Sequence, residues 1–455
     1  MQFSSRTIKA KHIFSNKELV ALLVPLVLES ALNMLIGMCD TIMVSKCGEA
    51  AVSGVSLIDS ISNLFLTLFS AAATGGAVVA SQYIGHKEDE KAKQSAKNLI
   101  ILSILAGLFF TLLLIPFRDN VVDLFFGQIE DDVRGYANDY FLFVAISYPF
   151  LAIYQATAAI CRSESKTRRT FFVALAMNAI NIFGNGVLIF VLNLGPTGAG
   201  IATLLSRVVG AFVLFVMLLR KDELLSISGI LHTRLDKKLT KRIMRIALPS
   251  GIEGSLFHVG KLLVTSLVAI LGTSAVAINA VINNYNSYSN IPGNAINLAI
   301  ITVIGQCKGN DNFEDIKYYT RKLLAITYIS TLLVNAPLYI WTPQVVAIYG
   351  LESTSILQAV PIGRRCLIAC FLIWPLSFSL PNVLKACGDA KYVMIVSFAS
   401  MWLMRVLMAF VFIKLLNIGV EGVWFAMYLD WIARAIMFCS RYKRGNWKRI
   451  RLIDD

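Results

Sequence analysis

Twelve stretches of this chain are each long and apolar enough to cross a bilayer as a helix, and that limits the fold more than anything else in the sequence. They lie near 19–44, 52–83, 98–117, 137–161, 170–192 and 198–219, then near 243–271, 276–306, 323–348, 362–384, 392–416 and 420–440. A hydrocarbon core about 30 Å thick takes about 20 helical residues to span. In lipid the backbone must satisfy its own hydrogen bonds, which leaves helices and closed barrels. Barrel strands would show apolar–polar alternation in segments of about ten residues, and these runs show none. The expected fold class is therefore an all-α membrane protein with about twelve transmembrane helices.

The charges lie between the runs. Only 15% of the residues are charged, against about 25% in a soluble domain. With the N-terminus placed inside, the inner segments hold 32 of the 42 Lys and Arg residues and the outer segments hold 6; the other four, Arg207, Lys261, Arg405 and Arg434, fall within helices. This is the positive-inside pattern, so a multi-pass protein of the plasma membrane with both termini cytoplasmic is expected. The net charge of +14 is then an orientation signal with some attraction to anionic lipid, and it argues against a nucleic-acid partner. The eight cysteines are scattered and His is rare, so neither a disulfide framework nor a zinc site is expected.

Slid against itself by 224 positions, the sequence matches. Pro25 meets Pro249, Glu29 meets Glu253, Thr41 meets Thr265, Gly48 meets Gly272, Gln82 meets Gln306 and Gly85 meets Gly309. Much later Gly195, Gly198 and Ala202 meet Gly419, Gly422 and Ala426. Each half holds six helices, an even number, so the two six-helix lobes have the same orientation and are related by an axis along the membrane normal, with a cavity between them. The expected organisation is a cytoplasmic N-terminal tail (1–18), a first lobe (19–219), a basic cytoplasmic linker (220–242), a second lobe (243–440) and a basic cytoplasmic tail (441–455).

Ionisable groups inside the membrane cost a few kcal/mol each and call for an explanation. Helix 1 carries Glu29, Asn33 and Asp40 on one face, and helix 5 carries Asn178, Asn181 and Asn185 on one face. From the rise of 1.5 Å per residue, Asp40 lies about 6 Å, Asn185 about 10 Å and Thr203 of helix 6 about 8 Å from the outer ends of their helices. One carboxylate with amide and hydroxyl oxygens at one depth suits a monovalent hard cation, and a buried carboxylate can instead carry a proton. The competing structural reading is that Asp40 caps a helix end and the asparagines join helices. The repeat places Val264 at the counterpart of Asp40, so the scaffold itself does not demand an acid there.

In the second lobe, helix 8 carries a stripe of Asn279, Asn283, Asn286, Asn290, Asn294 and Asn297, and Pro292-Gly293 is expected to break it midway. Helix 7 adds Glu253, His258 and Lys261, and helix 11 adds Arg405. These read as a substrate-cavity wall together with Glu29 and Asn33. The alternative is a hydrogen-bond ladder with a Glu253–Lys261 ion pair. Asp430 and Arg434 of helix 12 are four apart and read as a structural pair. With that pair set aside, one acid faces two bases in the second lobe, which favours zwitterions over simple lipophilic cations as substrates. No P-loop, nucleophile elbow or HExxH motif occurs, so neither nucleotide hydrolysis nor other enzyme activity is expected.

Several stretches carry a resemblance to a known family: LLVPLVLESALNMLIGMCDTIMV in helix 1, ASQYIG closing helix 2, AICRSESKTRR after helix 4, INIFGNGVLIF in helix 5, GPTGAGIAT into helix 6 and VLKACGDAK after helix 10. In that order they resemble the multidrug and toxic compound extrusion (MATE) family over nearly the whole chain. The resemblance implies a secondary transporter with a V-shaped cavity that exports small organic compounds by antiport against sodium or a proton, and a monomer with no other cofactor is expected. The family's first-lobe cation site would fall on Asp40, Asn181, Asn185 and Thr203, with no metal beyond a sodium ion at Asp40. Some members carry an acid where this chain has Asn185, which leaves one carboxylate in the pocket. Others use an acid in helix 10, and no Asp or Glu occurs here between Glu352 and Asp389, which puts a second-lobe cation site in doubt. A flippase for a lipid-linked saccharide is the alternative within transport. A membrane-embedded transferase would need His or Asp clustered at helix ends, which the sequence lacks.

Overall fold

The computed structural model describes residues 12–127 and 129–453; residues 1–11 of the expected N-terminal tail and the last two of the C-terminal tail lie outside them. Helices 1 to 6 are Asn16–Ser45, Glu49–Gly85, Asp89–Leu114, the bent pair Asp131–Ile146 and Tyr148–Ser163, Thr167–Val191 and Gly195–Leu218. Helices 7 to 12 are Lys237–Ala269, Thr273–Gly309, Phe313–Ile340, Ser353–Leu372 continued by Pro375–Ser379 and Leu380–Ala386, Ala390–Leu415 and Val420–Lys443. Among the described residues there are no strands. Ten of these helices are long and apolar enough to span a bilayer, and the bent pair of helix 4 brings the number to eleven. Helix 8 is the twelfth by position and equals helix 2 in length at 37 residues. Its asparagine stripe lowers its hydropathy below that of an ordinary span.

Local chemistry sets the ends. Ser15 and Glu18 form a reciprocal capping box at the start of helix 1, and Asp236 caps helix 7 by accepting from the Lys238 and Leu239 amides at 2.7 and 3.2 Å. Helix 4 bends by 46° at Ser147, where Pro149 removes an amide donor from the next turn. The repeat extends to turn geometry. Gly48 and Gly272 both have φ near +100°, and Asn193 and Asn417 are both left-handed, each pair 224 apart. Helix 8 runs continuously through Pro292, contrary to the expected break. The absence of a side chain at Gly293 serves packing instead, since the Trp374 ring fills the space a Cβ would need.

The apolar core divides as a V. One cluster takes in both lobes at the basic end, from Leu22, Val79 and Ile160 to Ile300, Leu384 and Phe438. Toward the other end it splits into a first-lobe cluster around Ile58 and Phe141 and a second-lobe cluster around Ile282 and Trp431. Phe109, Leu112, Phe183, Phe212 and Leu333 are 60–75% exposed, an apolar outer surface suited to lipid. Hydrogen bonds latch the lobes at the basic end: Gln82 Nε2 donates to the Ala386 carbonyl at 2.8 Å, Gln306 Nε2 to that of Ser163 at 2.9 Å, and Thr302 Oγ1 to that of Arg162 at 3.1 Å.

Candidate functional site

A cavity of about 780 Å³ lies between the lobes, in the range that holds drug-sized molecules. Of the expected cavity residues, Glu29, Asn33, Glu253, His258 and Asn294 of the helix 8 stripe line it. His258 Nε2 meets Thr67 Oγ1 of the opposite lobe at 3.0 Å. Each lobe contributes an acid held against a base at repeat-related positions. Glu29 faces Arg162 at 3.7 Å and accepts from Thr170 at 2.9 Å; Glu253 pairs with Lys385 at 2.7 Å and accepts from Ser397 at 2.8 Å. The Glu253–Lys261 pair entertained from the sequence does not form, because Lys385 holds the carboxylate.

Five other expected cavity residues, Lys261, Asn279, Asn283, Asn286 and Arg405, do not line this space, and neither do Asn290 and Asn297. The first five line a separate pocket of about 90 Å³ inside the second lobe. The one-acid, two-base wall inferred from sequence is therefore not what a substrate in the central cavity meets. Asp430 and Arg434 are paired at 2.8 Å as expected, and Arg405 joins them, 2.7 Å from the other Asp430 oxygen.

In the first lobe, Asp40, Asn178, Asn181, Asn185 and Thr203 do meet, around a pocket of about 260 Å³. Helix 1 brings the acid, helix 5 the amides and helix 6 the hydroxyl. Asn185 Nδ2 donates to Asp40 Oδ1 at 2.7 Å, and Asn181 lies 3.4 Å from both Thr203 Oγ1 and the Asn185 amide nitrogen. Asn178, toward the central cavity, donates instead to Asn33 at 3.3 Å. Asn185 is 1% exposed and its Oδ1 has no hydrogen-bond partner. The Asn181 amide fits in two senses: with nitrogen inward it donates to both Asp40 oxygens at 2.8 and 3.1 Å, and with oxygen inward it adds to a cluster of acceptors. Directly after Asn185 the helix loosens into a π-helical turn, Gly186–Val191, a feature frequent at functional sites.

The sequence reading left one carboxylate in this pocket, and the structure adds a second. Asp59 of helix 2 lines it, accepts from Tyr140 OH at 3.0 Å and shares it with Arg207, which donates to Ser147 Oγ at 2.7 Å. The available signal was an acid in the middle of an otherwise apolar helix. Among the described residues no group of three or more His, Cys, Asp or Glu is placed to hold a metal ion.

The family model for MatE matches the chain twice, over residues 25–187 and 249–411, which are offset by the same 224 positions as the repeat. This chain belongs to the MATE family. MATE relatives resemble it along nearly their whole length. It is 27% identical to a probable multidrug resistance protein NorM of Thermotoga maritima, covering 95% of this chain and 93% of that one. It is also 27% identical to an uncharacterized transporter, YisQ, of Bacillus subtilis, with 93% of each chain covered. In fold it matches a multidrug resistance MATE family transporter solved in an outward-facing conformation, with a TM-score of 0.89 and 20% identity over 95% of this chain and 97% of that one. The MATE architecture of two six-helix lobes is thus this chain's own.

Proposed function

We propose that this MATE protein exports small organic compounds across the cell membrane in exchange for a cation, sodium or a proton, bound at Asp40. The observation that carries the reading is the first-lobe pocket of about 260 Å³: Asp40, Asn185 and Thr203 all line it, and the buried Asn185 Oδ1 has no hydrogen-bond partner. A hard cation takes oxygen ligands of this kind, and a proton needs only a carboxylate. The pocket adjoins the central cavity, since Met177 and Asn178 line both. Charge entering at Asp40 therefore acts next to the substrate space. Asp59 and Arg207 line the same pocket, so with Asp40 two acids face one base and the formal charge stays negative, which favours a cation in low dielectric.

In the export cycle the lobes rock about the basic linker, alternately opening the cavity to each side. The hydrogen bonds that latch the lobes at the basic end support reading this arrangement as the outward-open half of that cycle. The acid–base pairs on both cavity walls favour compounds with both polar and apolar parts.

The test is counterflow and gradient-driven export in proteoliposomes under imposed sodium or pH gradients. Asp40→Asn should abolish gradient-driven export while binding of substrate to the purified protein persists. Full export by a well-expressed Asp40→Asn protein would place the coupling site elsewhere.

A further inference from the structure

The small second-lobe pocket is the repeat image of the cation pocket. Eight of its eleven lining residues stand 224 positions after residues that line the first-lobe pocket. The common scaffold carries opposite charge in the two copies. Asp40 becomes Val264 and Asp59 becomes Asn283, so both acids are lost. Gly37 becomes Lys261 and Asn181 becomes Arg405, so two bases are gained.

These bases lack matching acids. Asp430 is shared between Arg405 and Arg434, which leaves one guanidinium charge in excess. Arg405 is 7% exposed, and its Nε has no hydrogen-bond partner. Lys261 forms no ion pair among the described residues, and no acid lines the pocket. Of its amide donors, Asn283 Nδ2 donates to the Asn279 carbonyl at 2.9 Å, while those of Asn279 and Asn286 have no partner among the described residues. The Asn286 oxygen accepts from Asn290 at 2.7 Å and from Cys370 Sγ at 3.3 Å, so its nitrogen is free, and no side-chain bond engages Asn279. Uncompensated positive charge in a low-dielectric setting is costly, and an anion would offset it while accepting the free N–H groups.

We propose that this pocket is an anion site, taking a small monoanion whose chemistry is that of a halide or a carboxylate. A volume of about 90 Å³ equals about three waters at ~30 Å³ each, which excludes a drug-sized ligand and admits chloride or one carboxylate group. Phe257 lines both this pocket and the central cavity, and the Arg405 guanidinium lies 5.2 Å from its ring centre. The two spaces are therefore neighbours across the Phe257 ring, and a substrate carboxylate or a free halide would reach the pocket by displacing that ring. The two lobes thus offer sites of opposite sign at equivalent places.

The experiment uses the purified full-length protein at fixed sodium and fixed ionic strength, and measures thermal stability while the bulky anion 2-(N-morpholino)ethanesulfonate is replaced by chloride or by acetate. It involves no gradient and no transport, so its outcome is independent of the coupling role of Asp40. Saturable stabilisation of several degrees by chloride, acetate or both is expected; a response to chloride alone identifies a free halide, and one to acetate the carboxylate of a substrate. Lys261→Gln should remove the saturable response and Lys261→Arg should keep it. Val264→Asp, which restores the acid of the first lobe, should also remove it, and it stands in should Lys261→Gln fold poorly. A wild-type response equal for all three anions, or a saturable response that survives both Lys261→Gln and Val264→Asp, overturns the proposal.

Discussion

Gly85 of helix 2 lies so close to Gln306 of helix 8 that a Cβ built on it would sit 2.0 Å from the Gln306 carbonyl oxygen. Its repeat image does the same in reverse: a Cβ on Gly309 would sit 1.8 Å from the Gln82 carbonyl oxygen. At the basic end the two helix ends thus cross backbone to backbone, and Gln82 and Gln306 carry the hydrogen bonds that latch the lobes at the same level.

Gly85→Val and Gly309→Val should therefore prevent the inner seal from closing fully while each lobe still folds. Backbone atoms cannot yield as a flexible side chain does, and overpacking costs about 1–3 kcal/mol, enough to shift a conformational balance about 5- to 150-fold. Spin labels on the inner ends of helices 2 and 8 should report a longer distance population than in the parent protein. Export should fall in parallel, with expression retained. An unchanged distance distribution in Gly85→Val would show that the crossing is not the seal.

Much of this was legible in the sequence because helices convert residue number into position. Run length gave the spans, the 224-residue offset gave the lobes, and rise per residue placed Asp40, Asn185 and Thr203 at one depth. What number and depth do not give is direction around the helix axis relative to neighbours. Asp59 was visible as an intramembrane acid, but only packing of helix 2 against helices 1 and 4 turns it into the first-lobe pocket. Lys261 and Arg405 were visible as intramembrane bases, and only tertiary structure sets them in a pocket of their own. Lys385 is 132 positions from Glu253, so their pairing was not readable from spacing along any one helix. The expected break at Pro292-Gly293 failed because a neighbouring ring, Trp374, explains the glycine.

Asp430 carries two guanidinium groups, from Arg405 and Arg434, and is fully buried. Asp430→Asn should be among the most destabilising single substitutions in the second lobe. It leaves two buried cations without a carboxylate, and breaking a buried ion pair costs about 3–5 kcal/mol. Size-exclusion profiles of the heated variant in detergent should show early loss of monodisperse protein. Asp430→Asn combined with Arg405→Met should recover part of the loss, because one of the stranded charges is then gone. A single variant as heat-resistant as the parent would mean that the arginines have other counter-charges.

At the basic end, Glu223 of the linker ties the lobe-joining segment to the loop after helix 4. It accepts from Lys166 and from Arg169, the latter at 2.8 Å, and the neighbouring Glu164 accepts from the Leu225 amide and pairs with Lys166. Burial alone would raise the Glu223 carboxyl, but the hydrogen bonds and charges of Lys166 and Arg169 outweigh it and hold the group below the usual carboxylate range. A carboxylate depressed in the folded state contributes stability in full above its unfolded value of about 4.3, and that contribution is lost as pH falls through the folded value. The parent protein should accordingly keep this contribution at pH 7 and lose it only in acid. Glu223→Gln should cost about 1–2 kcal/mol at pH 7, and the melting curves of the two proteins should draw together as the pH falls below the unfolded value of about 4.3 and meet once it has passed the depressed folded value, where both carry a neutral side chain. Melting temperatures measured across pH 3.5–8 check this; a gap between the proteins that stays constant down to the lowest pH would assign the effect to packing of the linker and not to the charge on Glu223.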